Sequence, residues 1–352
     1  MSKPTILEVA KAAGVGIGTV SRAINRAGTV KQSTAEAVQK AMRELGYTPP
    51  PPERRRGRRF GRAYPRKSDT TVVLMIIGER GLNWMLSQAP IYSAVIEGIE
   101  KEISDHGMNL QIRQVADWQR AVETLNDDSV RGVIFFGSQD SVVQSTGSLQ
   151  KLPCIWVMGD PGKFVGDHVQ PDHSKIGIIA AEYLLQKGHR HCAYLGFVDG
   201  PPGYHVGSRG DTFRWAIEQA GGTVEMLMDP ELIVVDRDHN SPNEPVIAKL
   251  FDRLTGLSPR PTAIMIRADM LAPATYRLLQ ARGIMPQKDM TVITCNNERP
   301  YLMSLSPPPV IVDLHAIAIG RRAVNQLLWR YENRTEPAMR VLVEPVLIEA
   351  ML

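Results

Sequence analysis

TILEVAKAAGVGIGTVSRAINRAG, running from Thr5 to Gly28, is the stretch on which the reading of the fold turns. Thr5 and Glu8 stand at the spacing of a capping box, so a helix is predicted to start at Ile6. Ile6, Val9, Ala10 and Ala13 share one face of it at three- and four-residue spacing. Gly14 ends it, because glycine takes the left-handed conformation of a helix terminus without steric cost. A second helix is predicted from Ile17 to Asn25, burying Val20, Ala23 and Ile24 and exposing Ile17, Gly18, Ser21, Arg22 and Asn25. Two helices joined by a short glycine-containing turn match the helix-turn-helix, whose second helix enters the DNA major groove. A helical hairpin of another purpose would carry the same apolar positions. A phosphate-cradling glycine loop does not fit, because GVGIG follows a helical pattern and not a buried strand.

Further along, Ser33 and Glu36 have capping-box spacing, and a third helix is predicted to Leu45, with Ala37, Val38, Ala41, Met42 and Leu45 inward and Gly46 as its stop. Residues 47–67, YTPPPPERRRGRRFGRAYPRK, follow. Their proline run favours an extended segment, and Arg54, Arg55, Arg56, Arg58, Arg59, Arg62, Arg66 and Lys67 crowd what remains. Residues 1–67 hold 15 of the 41 Lys and Arg but 4 of the 37 Asp and Glu, a balance of +11 on a chain whose net charge is +4. A basic head on a mildly acidic body suits a polyanion at the head alone.

The run Val9-Ala10, Ala13-Gly14-Val15, Thr19-Val20-Ser21-Arg22, Asn25 and Gly46-Tyr47-x-Pro49 resembles the lactose-repressor (LacI-type) family of bacterial transcription regulators, and the resemblance extends over nearly all of the chain. It implies that the second helix reads a duplex operator. Arg22 is the implied base reader, since a guanidinium bonds guanine O6 and N7 together. Ile17 meets a thymine methyl, and Gly18 leaves its base pair weakly read. Thr5, Gly16 through its backbone N–H, Thr19, Ser21 and Asn25 are assigned to phosphate. Gly16 replaces the family's usual serine cap. The linker departs further. The family's hinge helix wedges a leucine into the minor groove, but here Pro50 replaces the family's Asn, Pro51 and Pro52 disfavour the helix start, and Arg56 stands at the leucine's place. Arg54, Arg55, Arg56, Arg58 and Arg59 are therefore expected to track DNA as an extended basic arm.

From Thr70 the pattern alternates strand and helix, which implies parallel sheets with helices on both faces. Strands are predicted at 71–77, 108–115, 131–137, 154–159, 192–197, 223–228, 262–266 and 290–295, with helices at 91–107, 172–185, 206–220, 243–255, 269–282 and 313–332. In the last helix Ile317, Val324, Leu327, Leu328 and Tyr331 are expected inward. Two such lobes resemble the periplasmic-binding-protein fold that the LacI family carries as its effector domain. Ligands of open α/β sheets lie beyond the carboxyl ends of the strands, where Trp84, Asp160, Asp236 and Asp269 are candidate effector contacts. SRGDTFRWAIEQAG resembles the family's R-x-x-G-F/Y-x-x-A segment, so Arg209 corresponds to its effector-binding arginine, with Thr212 in place of the usual glycine. VITCNN resembles the element whose first aspartate contacts effector, and Asn296 stands there.

The fold class expected is α/β: a three-helix helix-turn-helix headpiece at 1–48, a Pro/Arg hinge linker at 49–69, and a two-lobed effector-binding and dimerisation domain at 70–352. The lobes are expected at about 70–168 with 299–326, and 169–298 with 327–352. The expected function is a DNA-binding regulator, in the sense of a repressor, controlled by a small polar effector such as a sugar. Family precedent favours release of DNA by the sugar. No heptad tail follows Leu347, so a homodimer is expected. The chain lacks a secretory signal and an apolar run of about 18 residues, so the cytoplasm is the expected location and no membrane partner is. Cys154, Cys192 and Cys295 lie far apart in apolar runs and read as reduced core residues. His189 and His191 read as cations at a helix C-terminus, not as metal ligands. No cofactor, metal site or catalytic constellation is expected. The alternatives are a sugar-binding protein without DNA regulation and an α/β enzyme acting on a sugar.

Overall fold

The computed structural model describes residues 4–24, 30–49, 70–77, 82, 86, 90–115, 130–137, 152–158, 166–197, 209–232 and 243–349. The chain forms two compact units, residues 1–64 and 65–352.

In the first unit, helix α1 (Ile6–Ala12) starts on the predicted capping box. The Thr5 side chain accepts from the Glu8 N–H, and the Thr5 N–H donates to the Glu8 carboxylate at 2.6 Å. Gly14 has φ 63°, and helix α2 (Ile17–Ile24) follows. Helix α3 (Gln32–Leu45) begins earlier than a cap at Ser33 predicts. Lys31 is its N-cap and makes no side-chain capping bond. Ser33 therefore lies inside the first turn, and Glu36 accepts from Gln32 Nε2 at 3.4 Å instead. Gly46 closes α3 at φ 64°. The core holds Val9, Ala10, Val20, Val38 and Ala41, flanked by Met42, Ile24 and Tyr47. Ala37 and Leu45, expected inward, face solvent, because α3 offers α1 and α2 only the narrow stripe centred on Val38 and Ala41.

The second unit contains, in chain order, β1 (Thr71–Ile77), α4 (Pro90–Asp105), β2 (Asn109–Val115), β3 (Val130–Gly137), β4 (Cys154–Val157), β5 (Asp167–Pro171), α5 (His173–Gln186), β6 (His191–Phe197), α6 (Arg209–Gln219), β7 (Thr223–Asp229), α7 (Asn243–Thr255), β8 (Ala263–Ile266), α8 (Ala272–Ala281), β9 (Thr291–Asn296), α9 (Arg299–Leu302), β10 (Val310–Asp313), α10 (Ala316–Glu332), β11 (Arg340–Val343) and β12 (Val346–Ile348). A 3-10 turn at Asp269–Leu271 precedes α8, so the helix predicted from 269 opens with a tighter turn. The strands form two six-stranded sheets, ordered β11-β5-β4-β3-β1-β2 and β12-β10-β9-β8-β6-β7. Among the described residues every strand pairing is parallel except β10 with β12. Central strands such as TVVLMII are buried along almost their whole length, as strands covered on both faces must be.

The sheets divide the chain tail differently from the expected lobes. Segment 299–326 is expected in the first lobe, yet β10 pairs with β9 in the second sheet. Segment 327–352 is expected in the second, yet β11 pairs with β5 in the first. The chain thus passes between the sheets from β5 to α5, from β10 to α10 and from β11 to β12. Strands β5, β10, β11 and β12 have 3 to 5 residues each, too short for a periodic signal.

Helix α10 buries Ile319, Gly320, Ala323, Val324 and Leu327, while Ile317 and Tyr331, expected inward, are each 42% exposed. The cause is close packing on α4. A Cβ at Gly320 would run into the Val95 carbonyl, and one at Gly98 into the Ile317 carbonyl. That approach turns Gly320, not Ile317, toward the partner helix. Glu102 on α4 accepts from Arg321 Nε and Asn325 Nδ2, both at 2.9 Å, which locks the pair at a second level.

One buried ion pair joins this helix to the crossings. Arg330 donates to Asp167 at 2.6 Å and 3.1 Å, and to the carbonyls of Asn333, Glu336 and Pro337 at 2.6 to 2.9 Å. Asp167 also accepts from Gln326 Nε2 and from the Met339 N–H. Breaking such a pair leaves a buried charge uncompensated. Asp167→Ala is expected to destabilise the second unit by about 3–5 kcal/mol, read from urea unfolding of the full chain; a loss below about 1 kcal/mol, the range of exposed pairs, contradicts this account.

Candidate functional site

Helix α4 follows β1, so its N-terminus lies at the carboxyl edge of the first sheet. Asn296 ends β9 at the carboxyl edge of the second. These two edges meet. The Ile91 N–H, in the first turn of α4, donates to Glu298 Oε1 at 3.0 Å. Glu298 Oε2 accepts from Asn296 Nδ2 at 2.9 Å. Asn296 Oδ1 in turn accepts from Arg209 Nη1 at 3.0 Å. A polar chain therefore runs from α6 in the second lobe to α4 in the first.

Each member is held in place by the local fold. Arg209 opens α6 and is 7% exposed. Its Nη1 also donates to the Arg267 carbonyl at 2.6 Å, and its Nε to His173 Nδ1 at 3.3 Å. Gly177 on α5 lets α6 approach, since a Cβ there would meet the Arg209 carbonyl and the Thr212 hydroxyl. The space that Thr212 needs, in place of the family's glycine, is thus supplied by the facing helix. Asn296 and Asn297 have φ 109° and 65°, a region that asparagine tolerates better than most residues. Asn297 Nδ2 donates to Asp313 Oδ2 at 3.1 Å, and Asp313 Oδ1 accepts from the His315 N–H at 2.8 Å, tying this loop to the β10–α10 crossing.

Asp269, expected to face the ligand, is wholly buried. It accepts from Thr294 Oγ1 and from the Glu298 N–H, both at 2.6 Å, and so braces the 296–298 turn from beneath. Burial pushes its carboxyl up to about 7, against the bonds from the Glu298 amide and Thr294. Burial also raises Glu298, opposed by Asn296, the Ile91 amide and Arg209. The Arg209 guanidinium is lowered by burial and, less, by Arg267. Trp84, Asp160 and Asp236 lie outside the described residues. The sequence motifs single out Arg209 and Asn296, which the structure brings into direct contact. They give no sign of Glu298, His173 and Arg267, whose roles depend on tertiary contacts such as that of Glu298 with Ile91, 207 residues apart in sequence.

In the first unit, Ile17 is 46% exposed. Gly16 and Gly18 are exposed too, and Thr19 and Ser21 are half-buried. Gly16 occupies the cap position of α2, its carbonyl accepting from Thr19 N at 2.8 Å and Val20 N at 3.1 Å. Thr5 has both its N–H and its hydroxyl engaged with Glu8. The side chain of Arg22, together with Asn25, Arg54, Arg55, Arg56, Arg58 and Arg59, lies outside the described residues.

The model of bacterial regulatory proteins of the lacI family matches residues 5–50, and that of the periplasmic binding protein-like domain matches residues 181–349. The chain thus carries a LacI-type helix-turn-helix segment ahead of a periplasmic binding protein-like domain. The HTH-type transcriptional regulator DegA of Bacillus subtilis (strain 168) is 29% identical over 318 residues, covering 88% of this chain and 85% of DegA. The regulator CelR of Thermobifida fusca is 27% identical over 350 residues, 97% of this chain and 96% of CelR. A solved complex of a transcriptional regulator CelR with cellobiose superposes with a TM-score of 0.60 at 25% identity, covering 98% of both chains. The chain is accordingly a DNA-binding transcriptional regulator with a small-molecule effector, and not an enzyme. A binding protein without DNA regulation is set aside with it.

One smaller reading changes. His189 is not a helix-end cation: its ring bridges Thr262 Oγ1 at 2.8 Å and Thr291 Oγ1 at 2.9 Å, and burial lowers its pKa. His191 Nδ1 pairs with Thr223 Oγ1 at 2.9 Å. Cys154, Cys192 and Cys295 are buried free thiols, each pushed up to about 12 by burial. No helix among the described residues is long and apolar enough to cross a membrane.

The buried carboxyl of Asp269 makes stability depend on pH. Its folded pKa of about 7 stands above the unfolded 3.8, so the folded chain holds that proton more tightly. The associated stabilisation is complete below the unfolded value and fades as pH rises through the folded one. Asp269→Asn is expected to cost more near about pH 4 than near about pH 8, compared through urea midpoints of the two proteins. A cost that grows with pH contradicts the buried, proton-holding state.

Proposed function

We propose that this regulator is a cytoplasmic homodimeric repressor, and that a neutral sugar bound at the facing sheet edges releases it from a two-fold symmetric operator. The domain limits 1–48, 49–69 and 70–352 are retained, with lobes drawn by sheet membership. The observation that carries the effector reading is the buried Arg209, held at one strand edge by Asn296 and linked through Glu298 to the other. A guanidinium and an amide converging where two strand edges meet suit a ligand rich in hydroxyls. The CelR complex with cellobiose supports a sugar of one or two rings. Arg209 and Asn296 are the proposed contacts, braced by Asp269, and Trp84, Asp160 and Asp236 remain further candidates from the sequence.

A thermal-shift screen of mono- and disaccharides on the full chain, cellobiose included, tests this. A cleft ligand stabilises by RT ln(1 + [L]/Kd), and one at about a hundred times its Kd adds about 2.7 kcal/mol. Arg209→Ala is expected to abolish the shift. If no sugar raises the Tm, the sugar reading fails.

On DNA, α2 enters the major groove of each half-site. Arg22 reads a guanine, Ile17 a thymine methyl, and Gly18 leaves its pair weakly specified. Gly16, Thr19, Ser21 and Asn25 set the helix on phosphate, and Thr5 supports the first helix through its cap. Arg54, Arg55, Arg56, Arg58 and Arg59 lie along the backbone as a basic arm. With an operator obtained by selection from random duplexes, Arg22→Ala is expected to flatten preference at one base pair, a change of about 1–3 kcal/mol. Serine at the five arm positions is expected to weaken all sequences alike and to lower the salt slope by up to about 0.9 for each phosphate no longer neutralised. Equal loss on every sequence for Arg22→Ala contradicts its role as a reader.

A further inference from the structure

Helix α4 begins at the carboxyl edge of the first sheet. It opens on Pro90, which has no N–H, and the residue before it is Ala89, whose side chain carries no oxygen. The first N–H needing a partner is that of Ile91, and the partner is a carboxylate from the other lobe, Glu298. An anion at a helix N-terminus is favoured by both the free amide and the helix dipole. Glu298 is 5% exposed, its backbone is fixed by Asp269, and its second oxygen is fixed by Asn296. Asn296 is engaged on both sides, giving to Glu298 and receiving from Arg209.

We propose that Glu298 is the resident anion of the cleft and sets its selectivity, so that the site admits neutral ligands and refuses anionic ones. The chemistry that would otherwise invite a carboxylate or phosphate is present: an arginine, an amide donor and a helix N-terminus. The chain's own carboxylate already occupies it. A neutral hydroxyl can exchange bonds with Asn296 without moving charge, whereas a second anion would have to stand against Glu298 beside the buried Asp269. The same residue holds α4, and through Gly98 and Glu102 the helix α10 packed on it, to the second lobe. This inference rests on Arg209 and Asn296 being effector contacts, but its test involves no sugar, so the two can fail separately.

The test uses the full chain as wild type, Glu298→Ala and Glu298→Gln, with sodium acetate as the probe at constant ionic strength. Hydrogen exchange at Ile91 is expected to rise about tenfold in Glu298→Ala, the effect of one missing hydrogen bond. Glu298→Gln keeps an acceptor oxygen, and its exchange is expected to stay near the wild-type rate. Acetate is expected to restore protection in Glu298→Ala and to raise the Tm of that variant alone. If the alanine variant fails to fold, Glu298→Ser, too short to reach Ile91, takes its place. Unchanged exchange at Ile91 in the shortened variant, exchange as fast in Glu298→Gln, absence of rescue by acetate, or an equal effect of acetate on the wild type would each overturn the proposal.

Discussion

The buried pair of Asp167 and Arg330 is the constraint on which the two-lobed body depends. Asp167 begins the last strand before the first crossing, and Arg330 lies in the final turn of the helix that follows the second. The guanidinium also gathers the carbonyls of Asn333, Glu336 and Pro337, so the loop that feeds β11 is wrapped around it. Charges taken out of water at this cost are tolerated only when nearly every donor and acceptor is matched, and here they are matched by backbone as well as side chain. The segments that must bend between the sheets therefore start from a fixed frame. Beside it, the Asp172 N–H donates to the Val343 carbonyl at 2.9 Å, so the first and third crossings are bonded to each other.

What lies at the opposite edges follows from that frame. Helices α4 and α10 pack closely against each other beside the first sheet, because glycine backbones interdigitate where side chains would not fit. At Ile91 the second lobe reaches this body through one carboxylate, that of Glu298. Arg209, Glu298 and Asp269 bring one positive and up to two negative groups into a space with little water. Asp269, its carboxyl raised to about 7 by burial, relieves that imbalance by keeping its proton and so staying neutral.

Much of this is legible in the chain itself. The first helix and its cap, the strands TVVLMII and HCAYLGF, and the choice of Arg209 and Asn296 all rest on local signals or on motif resemblance. The failures share one cause. Ser33 has the right spacing for a cap, but α3 starts at Gln32, and spacing alone does not say which residue leaves helical geometry. Ile317 and Tyr331 fit an apolar period, but the closeness of α4 chose Gly320 as the buried face. Strands β10 and β11 exchange lobes relative to expectation because pairing between distant segments is a tertiary choice. Glu298 reads as one more loop carboxylate, because the amide it caps belongs to the opposite lobe.

Gly18 carries a consequence of another kind. A Cβ built there or at Gly16 meets no atom of the protein within 4 Å. A glycine inside a short helix lowers its intrinsic propensity by about 1 kcal/mol relative to alanine, so almost any replacement strengthens α2 while presenting a new group outward. With α2 in the major groove as proposed, a duplicated copy of the gene acquires a different set of target promoters by one codon change at this position, with no compensating repair in the core.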